Sequence, residues 1–313
     1  MGSYEPGSEI DISILVLTYH SNWTDLENTL ESVLVQKDIC HEIVISDDGS
    51  EETHKEQLIQ FFEKKNYPHY TLVCNRENRG TVRNAIAGLE NCKGKWVKDI
   101  SPGDFLYGDR CLARWVEYCE KNHCLWSFSE AVYYEKTQRG IEAVSCRAHP
   151  MELTPYIKGE IDRCRWNYVA LNDIALGATM VCHTDLYLSY CRQIEGKVIY
   201  AEDNVWRLLM FDGIVGGYYP ETTVLYENGV GISTSGQGPW TEKMNKDWRT
   251  ATDIILSREN GDELQKKMQK AYRDSRSKIW RYFVRGKLRF EIKKRLFPRM
   301  ATQTLPEGIL ICK

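Results

Sequence analysis

Two adjacent acidic residues, Asp47 and Asp48, directly follow a short apolar run and could accept hydrogen bonds from a ligand or hold a metal ion. The run, Ile43–Ile45, is typical of a strand buried on both faces of a parallel sheet. In an open α/β sheet the ligand crevice lies beyond the carboxyl ends of the strands, which is where these acids would lie. A capped turn without function is the alternative, because Asp-Asp-Gly-Ser also suits the start of a helix.

Polar residues that could bind a nucleotide also follow the other short apolar segments of the first hundred residues, just as Asp47 and Asp48 follow Ile43–Ile45. Thr18 and Tyr19 end the first run, Asn78 and Arg83 come after the third, and Asp104 comes after the fourth. The ends of parallel strands meet at one sheet edge, so we expect these residues to form one pocket. Its chemistry suits a base, a ribose and a diphosphate held with a divalent cation. The chain has neither a G-x-G-x-x-G nor a P-loop motif there, which disfavours a dinucleotide oxidoreductase.

The elements that must position these residues alternate along the first third of the chain. The predicted strands are residues 12–18, 43–46, 70–74 and 95–100, and the predicted helices between them are residues 22–36, 52–65 and 80–91. This alternation predicts an α/β fold with a mostly parallel central sheet flanked by helices.

The remaining two thirds of the chain have a weaker pattern. Residues 126–236 are less regular, and the turn-rich stretch 236–239 marks a predicted boundary. We therefore expect one domain over residues 1–236, with a regular half at about 10–125 and a less regular half at about 126–236. Residues 237–313 are predicted to form a helical, basic extension.

Composition narrows the class of protein and its compartment. The mean hydropathy of −0.48 and the absence of a long apolar run argue against a membrane span, and the first residues do not resemble a secretory signal. The eleven cysteines include no C-x-x-C pair, which favours reduced thiols in a cytoplasmic protein. The net charge of −3 conceals a basic stretch, since residues 265–300 contain fourteen Lys or Arg and two acids.

In this order and spacing, the motifs resemble those of family 2 glycosyltransferases across about the first 235 residues. The matching pieces are Thr18-Tyr19-His20, Glu42–Ser50, Asn78-x-Gly80 with Arg83-Asn84, Gly94–Val97 leading to Asp104, Ala201-Glu202-Asp203 and Gly231–Thr234. The resemblance implies the Rossmann-like GT-A fold and an inverting transfer of a sugar from a nucleotide-diphosphate sugar. It also implies that the half at about 10–125 binds the donor and that the half at about 126–236 binds the acceptor and carries the catalytic residues. UDP is the nucleotide that the family favours.

The resemblance also implies roles for individual residues. Thr18, Tyr19 and Asp48 would contact the nucleobase, and Asn78 and Gly103 would belong to the donor site. Asp47 has a weaker case, because it equally could cap a helix starting near Ser50. Arg83 would lie near the diphosphate or order the acidic loops, and a salt-bridged helix surface is its alternative.

The metal motif departs from the family pattern. Where the family usually has D-x-D or D-x-D-D, this chain has Ser101-Pro102-Gly103-Asp104, so Asp104 is the candidate ligand for Mn²⁺ or Mg²⁺. One carboxylate, diphosphate oxygens and waters are a workable ligand set for such a cation. Asp99, inside the strand, is expected to be structural.

The catalytic residues implied by the resemblance are Asp203, as the base that deprotonates the acceptor hydroxyl, and Glu202, which would position the acceptor. Both precede an apolar-periodic helix, and acids in a first helical turn are also common for purely structural reasons. This alternative stays open from the sequence.

Residues 278–299 combine a basic surface with apolar and aromatic residues at helical spacing. This pattern favours binding to an anionic membrane surface, with packing of the helix onto the acidic body as the alternative. No nucleic-acid module is recognisable, so no nucleic-acid partner is expected.

Together these features predict a hexosyl- or N-acetylhexosaminyl-transferase acting on a glycan or lipid-linked acceptor in cell-surface polysaccharide or glycoconjugate synthesis. It would be cytoplasmic and peripheral at the inner face of the membrane. The alternative is a non-catalytic nucleotide-sugar-binding protein, suggested by the reduced metal motif. The sequence does not indicate an oligomeric state.

Overall fold

The first hundred residues fold as a regular alternation of strands and helices. The structure, a computed structural model, describes residues 9–171, 173–230, 239–257, 266 and 299–306. The first elements are β1 (Ile12–Thr18), α1 (Trp23–Leu34), β2 (His41–Asp47), α2 (Lys55–Lys65), β3 (Tyr70–Cys74), α3 (Thr81–Leu89) and β4 (Trp96–Ile100). The strands pair in the order β3-β2-β1-β4, all parallel, which confirms the predicted parallel sheet.

The start of α2 differs from the prediction. The helix begins at Lys55, and His54 precedes it in the left-handed region with φ 53°. Asp47 accepts a hydrogen bond of 2.7 Å from the Ser50 backbone N–H, which closes a turn five residues before the helix. The expectation that Asp47 caps a helix starting near Ser50 is therefore wrong, because the chain makes a turn there first.

The second part of the chain extends the same sheet with mixed strand directions. Its elements are β5 (Phe105–Leu106), α4 (Cys111–Lys121), β6 (Trp126–Thr137), β7 (Gly140–Ala143), α5 (Thr154–Ile157), α6 (Ile161–Leu171), a 3₁₀ turn (Gly177–Thr179), β8 (Met180–His183), α7 (Thr184–Ile194), α8 (Asn204–Phe211), β9 (Gly217–Glu227) and α9 (Pro239–Ser257). The sheet continues β4-β8-β6-β9-β5, with β7 pairing on β6. β8 is antiparallel to β4, whereas β6 and β9 run parallel.

Two apolar cores cover the two faces of the sheet. Successive residues of a strand point to opposite faces, so Leu15 packs in the core with α3, α7 and α8, and Ile14 packs in the core with α1, α2 and α4. Burial of these apolar side chains is the main favourable contribution to folding.

Elements beyond the predicted boundary at 236–239 contact the body. Met244, Ala251 and Ile255 of α9 are buried in the same core as α8. Further along, the Ala301 backbone N–H donates to the Cys146 carbonyl at 3.0 Å, so the segment 299–306 also packs against the body. The predicted boundary stays a prediction, and residues 278–298 of the basic region lie outside the described residues.

Two further expectations from the sequence concern the oxidation state of the cysteines and the presence of a membrane span. The ten cysteines in the described ranges are all free thiols. Within these ranges, none of the helices combines the length and apolarity that crossing a bilayer requires.

Asn84 of α3 ties the carboxyl ends of the strands together. Its Nδ2 donates to the Ser46 carbonyl at 2.9 Å, and its Oδ1 accepts from Ser46 Oγ at 2.7 Å and from Asn75 Nδ2 at 3.0 Å. The residue is 2% exposed, so water cannot replace these partners.

We expect Asn84→Ala to lower the free energy of unfolding by about 1–3 kcal/mol, because it leaves buried polar groups without partners. Asn91→Ala, on an exposed residue just after the same helix, is the control and should change it by less than about 0.5 kcal/mol. Urea denaturation of both variants measures the difference, and equal losses would contradict the role given to Asn84.

Candidate active site

A cavity of about 680 Å³ lies at the carboxyl ends of β1, β2 and β4, bounded on the other side by the start of α8 and the end of β9. Among the described residues, its lining contains no Lys, Arg or His. It contains seven acids: Asp25, Asp48, Asp99, Asp104, Glu202, Asp203 and Glu227. Mutual repulsion and partial burial of these carboxylates make the cavity attractive to cations.

Asp48 lies at one end of the cavity beside Thr18 and Tyr19. Its Oδ1 accepts from the Arg79 backbone N–H and its Oδ2 from the Gly80 backbone N–H, both at 2.9 Å. Burial raises the pKa of this carboxyl above its usual range, although the two backbone hydrogen bonds oppose the shift. Asp48 therefore orders the loop before α3 and still presents its carboxylate to the cavity.

Asp47 is not part of the cavity lining, and its carboxylate accepts hydrogen bonds from neighbouring residues of the fold. Its Oδ1 accepts from Ser50 Oγ at 2.6 Å and from Thr18 Oγ1 at 3.1 Å, in addition to the Ser50 backbone contact. These contacts satisfy the carboxylate, and they hold the exit of β1 next to the exit of β2.

Asn78 and Arg83 are not brought to the cavity wall. Asn78 is exposed, and Arg83 Nε lies 3.2 Å from Glu195 Oε1 in a partly exposed ion pair between α3 and the end of α7. The geometry at Arg83 matches the salt-bridged surface that the sequence left as its alternative. Their assignment to the donor site stays a prediction.

The loop Ser101–Asp104 carries the candidate metal ligand. Asp104 is 6% exposed, and its Oδ1 accepts from the Glu227 backbone N–H at 3.0 Å, whereas no donor among the described residues reaches its Oδ2. Burial raises the pKa of Asp104 to about 7. The carboxyl thus lines the cavity with one oxygen unpaired in the described part of the protein.

Gly103 does not line the cavity itself but makes room for a residue that does. A Cβ placed on Gly103 would lie 2.5 Å from Oε2 of Glu227, and its φ of +101° is one that other residues rarely adopt. The role of Gly103 visible in the structure is therefore to let the Glu227 carboxylate approach the loop.

Asp99 lines the cavity floor and is also held by the body of the protein. Its Oδ2 accepts from the Tyr187 hydroxyl at 3.3 Å, and the fully buried Lys98 has its Nζ 3.8 Å from Asp99 Oδ1. Burial raises the pKa of Asp99 and lowers the pKa of Lys98. This pair places one cation beneath the acids, hidden from the cavity.

Asp203 and Glu202 face the cavity from the start of α8. Asp203 is the residue before the helix, yet its side chain makes no capping hydrogen bond, and its Oδ1 is buried without a partner among the described residues. Burial raises the pKa of Glu202 well above its usual range, and the neighbouring Asp203 charge adds to the shift. The structure therefore does not support helix capping as the reason for this acid pair.

The structure adds residues for which the sequence indicated no individual role. Asp25, Tyr200, Tyr226 and Glu227 all line the cavity. Glu227 is the last residue of β9, so the rule of inspecting strand ends would have found it if β9 had been predicted.

The fold and cavity define an α/β domain of the GT-A class, with its polar residues gathered at the carboxyl edge of a mostly parallel half-sheet. Residues 13–165 match the family model described as "Glycosyl transferase family 2". The match covers a little under half of the chain, and over these residues the protein is similar to a family 2 glycosyltransferase domain.

Curated relatives are named as glycosyltransferases. "Uncharacterized glycosyltransferase RC0461" of Rickettsia conorii is 28% identical over 148 residues, covering 44% of this chain and 22% of the relative. An uncharacterized glycosyltransferase of Rickettsia felis is 28% identical over 144 residues, covering 42% and 21%. The chain thus spans about a fifth of the length of these relatives.

Solved structures are similar in fold at low sequence identity. S. aureus TarS matches with a TM-score of 0.52 and 13% identity, covering 85% of this chain and 43% of that chain. TarS 1-349 in complex with UDP-GlcNAc matches with a TM-score of 0.53 and 15% identity, covering 84% and 70%. At this identity the likeness concerns the fold.

The raised pKa of Asp104 leads to a pH-dependent stability. The folded state holds a proton on this carboxyl up to a pH of about 7, whereas the unfolded chain releases it near its ordinary value of 3.8. The contribution of Asp104 to the free energy of unfolding is therefore lost as the pH rises through this interval.

We expect Asp104→Asn to stabilise the ligand-free protein at pH 8 by about 1–3 kcal/mol and to have little effect near pH 4. Asn keeps an oxygen for the Glu227 N–H and carries no charge. Thermal unfolding between pH 4 and 8 measures this, with Glu221→Gln, on an exposed carboxyl of β9, as the control. Destabilisation of Asp104→Asn at pH 8 would contradict the account.

Proposed function

We propose that this protein transfers a sugar from a UDP-sugar, with inversion, to a hydroxyl group of a glycan or lipid-linked acceptor. The observation that carries the proposal is the Asp203 carboxylate, whose Oδ1 is buried without a partner among the described residues in the same cavity as Asp48 and Asp104. The cellular process we propose is synthesis of a cell-surface polysaccharide or glycoconjugate.

The donor end of the cavity would be formed by Thr18, Tyr19 and Asp48. Asp48 accepts two backbone hydrogen bonds but has lone pairs left for a nucleobase ring N–H. The Tyr19 ring is 43% exposed and offers a flat surface for a base. The complex of TarS 1-349 with UDP-GlcNAc, a protein of similar fold, supports a UDP-sugar as the donor.

The residues present fit a divalent cation, Mn²⁺ or Mg²⁺. A diphosphate entering this cavity meets seven carboxylates and no described basic side chain in the lining, so its own charge needs a counter-ion. Asp104, with its unpaired Oδ2, is the residue that would hold the cation. When bound, the cation offsets the negative charge that develops on the leaving diphosphate.

Asp203 would act as the base. It takes the proton from the acceptor hydroxyl while that oxygen bonds to the anomeric carbon and the bond from this carbon to the diphosphate oxygen breaks. Glu202, whose pKa is raised by burial, would orient the acceptor through a hydrogen bond. Gly177 permits this arrangement, because a Cβ there would lie 3.1 Å from the Asp203 Cβ.

We expect Asp203→Asn to lower the transfer rate by about 10²–10⁴-fold, because the amide cannot accept the proton. Binding of the UDP-sugar should stay near the wild-type level. UDP release assays with Mn²⁺ and calorimetric titration with UDP-GlcNAc measure the two quantities. Asp162→Asn, on the exposed face of α6, is the control. Turnover of Asp203→Asn at the wild-type rate would overturn the assignment.

A second candidate function follows from the missing acids of the metal motif. Positions 101 and 103 are Ser and Gly, so a protein that binds a nucleotide-sugar without catalysis is the alternative. Hydrolysis of the donor by purified protein with Mn²⁺ separates the two, since a pure binding protein would release no UDP.

We propose that the basic stretch 278–299 binds an anionic membrane surface, where a lipid-linked acceptor would be present. A test by truncation would also remove residues 299–306, which pack on the body. Replacing Arg281, Arg285 and Arg289 with Glu avoids this. Flotation with vesicles of phosphatidylglycerol should fall by about tenfold or more, because each basic residue contributes about 1 kcal/mol at such a surface.

The control for flotation replaces three exposed lysines of the body, Lys64, Lys121 and Lys158, with Glu. It makes the same change of net charge. Equal loss of flotation in both proteins would show that overall charge, not this stretch, governs binding.

A further inference from the structure

We propose that Glu227 is the second carboxylate that holds the divalent cation, together with Asp104. The inference rests on the proposed donor site, and it assigns to the last residue of β9 a part of the task that the reduced metal motif no longer performs. Four observations carry it: a backbone contact, a space kept open by glycine, an unpaired carboxylate oxygen, and a lysine already bound to the Glu227 side chain.

The first observation is that the end of β9 is attached to the metal-motif loop. The Glu227 backbone N–H donates to Asp104 Oδ1 at 3.0 Å, which fixes the two residues against each other. Glu227 is 8% exposed and lines the cavity, so its carboxylate is held at the site and not in open solvent.

The second observation is the space above Gly103. A Cβ at that position would lie 2.5 Å from Glu227 Oε2, well inside van der Waals contact. The Tyr134 hydroxyl donates to the Gly103 carbonyl, and the Gly103 N–H donates to Thr29 Oγ1 at 3.0 Å, so the loop cannot easily move aside. The glycine thus replaces an acid of the family motif and admits a carboxylate from another strand.

The third observation concerns the free coordination capacity of Asp104. This side chain is nine-tenths buried, and in the described part of the protein no donor reaches its Oδ2. This second carboxylate oxygen is therefore available to a cation that enters the cavity. In the described ranges no group of three metal-binding side chains exists, so two carboxylates would be completed by diphosphate oxygens and water.

The fourth observation is the cation that Glu227 already holds. Lys136 Nζ lies 3.0 Å from Glu227 Oε2 and 2.6 Å from Asp25 Oδ1. Asp25 and Glu227 both line the cavity, so an ammonium group bridges two cavity acids at its rim. Lys136 therefore competes with a metal ion for Glu227, and its removal should favour the metal.

The experiment measures Mn²⁺ binding to the full chain from the loss of the free-ion signal in electron paramagnetic resonance, with and without UDP. Glu227→Gln should raise the Kd for Mn²⁺ in the presence of UDP by about tenfold or more, because a ligand is lost. Lys136→Met should lower it by about three- to tenfold, because a competing positive charge is removed.

The opposite directions of these two effects exclude a merely structural role. Both substitutions break the Lys136–Glu227 pair, so damage to the fold would weaken Mn²⁺ binding in both. Glu135→Gln, on an exposed acid of β6 that accepts from the Asn228 side chain, is the matched control and should leave the Kd unchanged. Thermal unfolding without metal verifies that each variant is folded.

An unchanged Kd for Mn²⁺ in Glu227→Gln, or a higher Kd for Mn²⁺ in Lys136→Met, would overturn the inference. If the wild-type protein binds UDP but no Mn²⁺, the cation site is wrong and the donor site stands. If it binds neither UDP nor Mn²⁺, the proposed function fails with it.

Discussion

The concentration of carboxylates around one cavity is the constraint on which the rest of this structure depends. Seven acids line it, and the described lining offers no basic side chain in return. Backbone N–H groups supply part of the compensation, as at Asp48 and Asp104. Buried Lys98 supplies another part from below, and Lys136 supplies a third at the rim. The remaining deficit of positive charge is what a divalent cation would fill, for the carboxylates and for a diphosphate bound beside them.

The fold tolerates these clustered carboxylates because apolar cores elsewhere in the molecule stabilise it. Apolar cores on both faces of the sheet provide the stability that the acidic cavity costs. Rigid strand ends then fix the positions of the acids, and Asn84 joins two of these ends through a buried network. Asp203, just before α8, and Glu227, at the end of β9, come from the second part of the chain, so the cavity forms only where this part meets the parallel strands.

The parallel half of the sheet and its strand ends could be predicted from the sequence, because buried parallel strands are short apolar runs that end in turn residues. The mixed half could not, because β6 and β9 carry polar residues that pair across strands, such as Ser129 with Thr223 and Glu130 with Tyr218. The sequence also did not indicate the roles of residues whose partners lie far away along the chain. Arg83 meets Glu195 more than a hundred residues away, and Glu227 reaches the metal motif only through the pairing of β9.

The most direct test of the account is a crystal structure of the full chain with UDP and Mn²⁺. The account predicts uracil beside Tyr19 and the Asp48 carboxylate, the diphosphate over the loop Ser101–Asp104, and Mn²⁺ coordinated by Asp104. UDP bound elsewhere, for example at the surface groove formed by Lys93, Lys95 and His183, would contradict it.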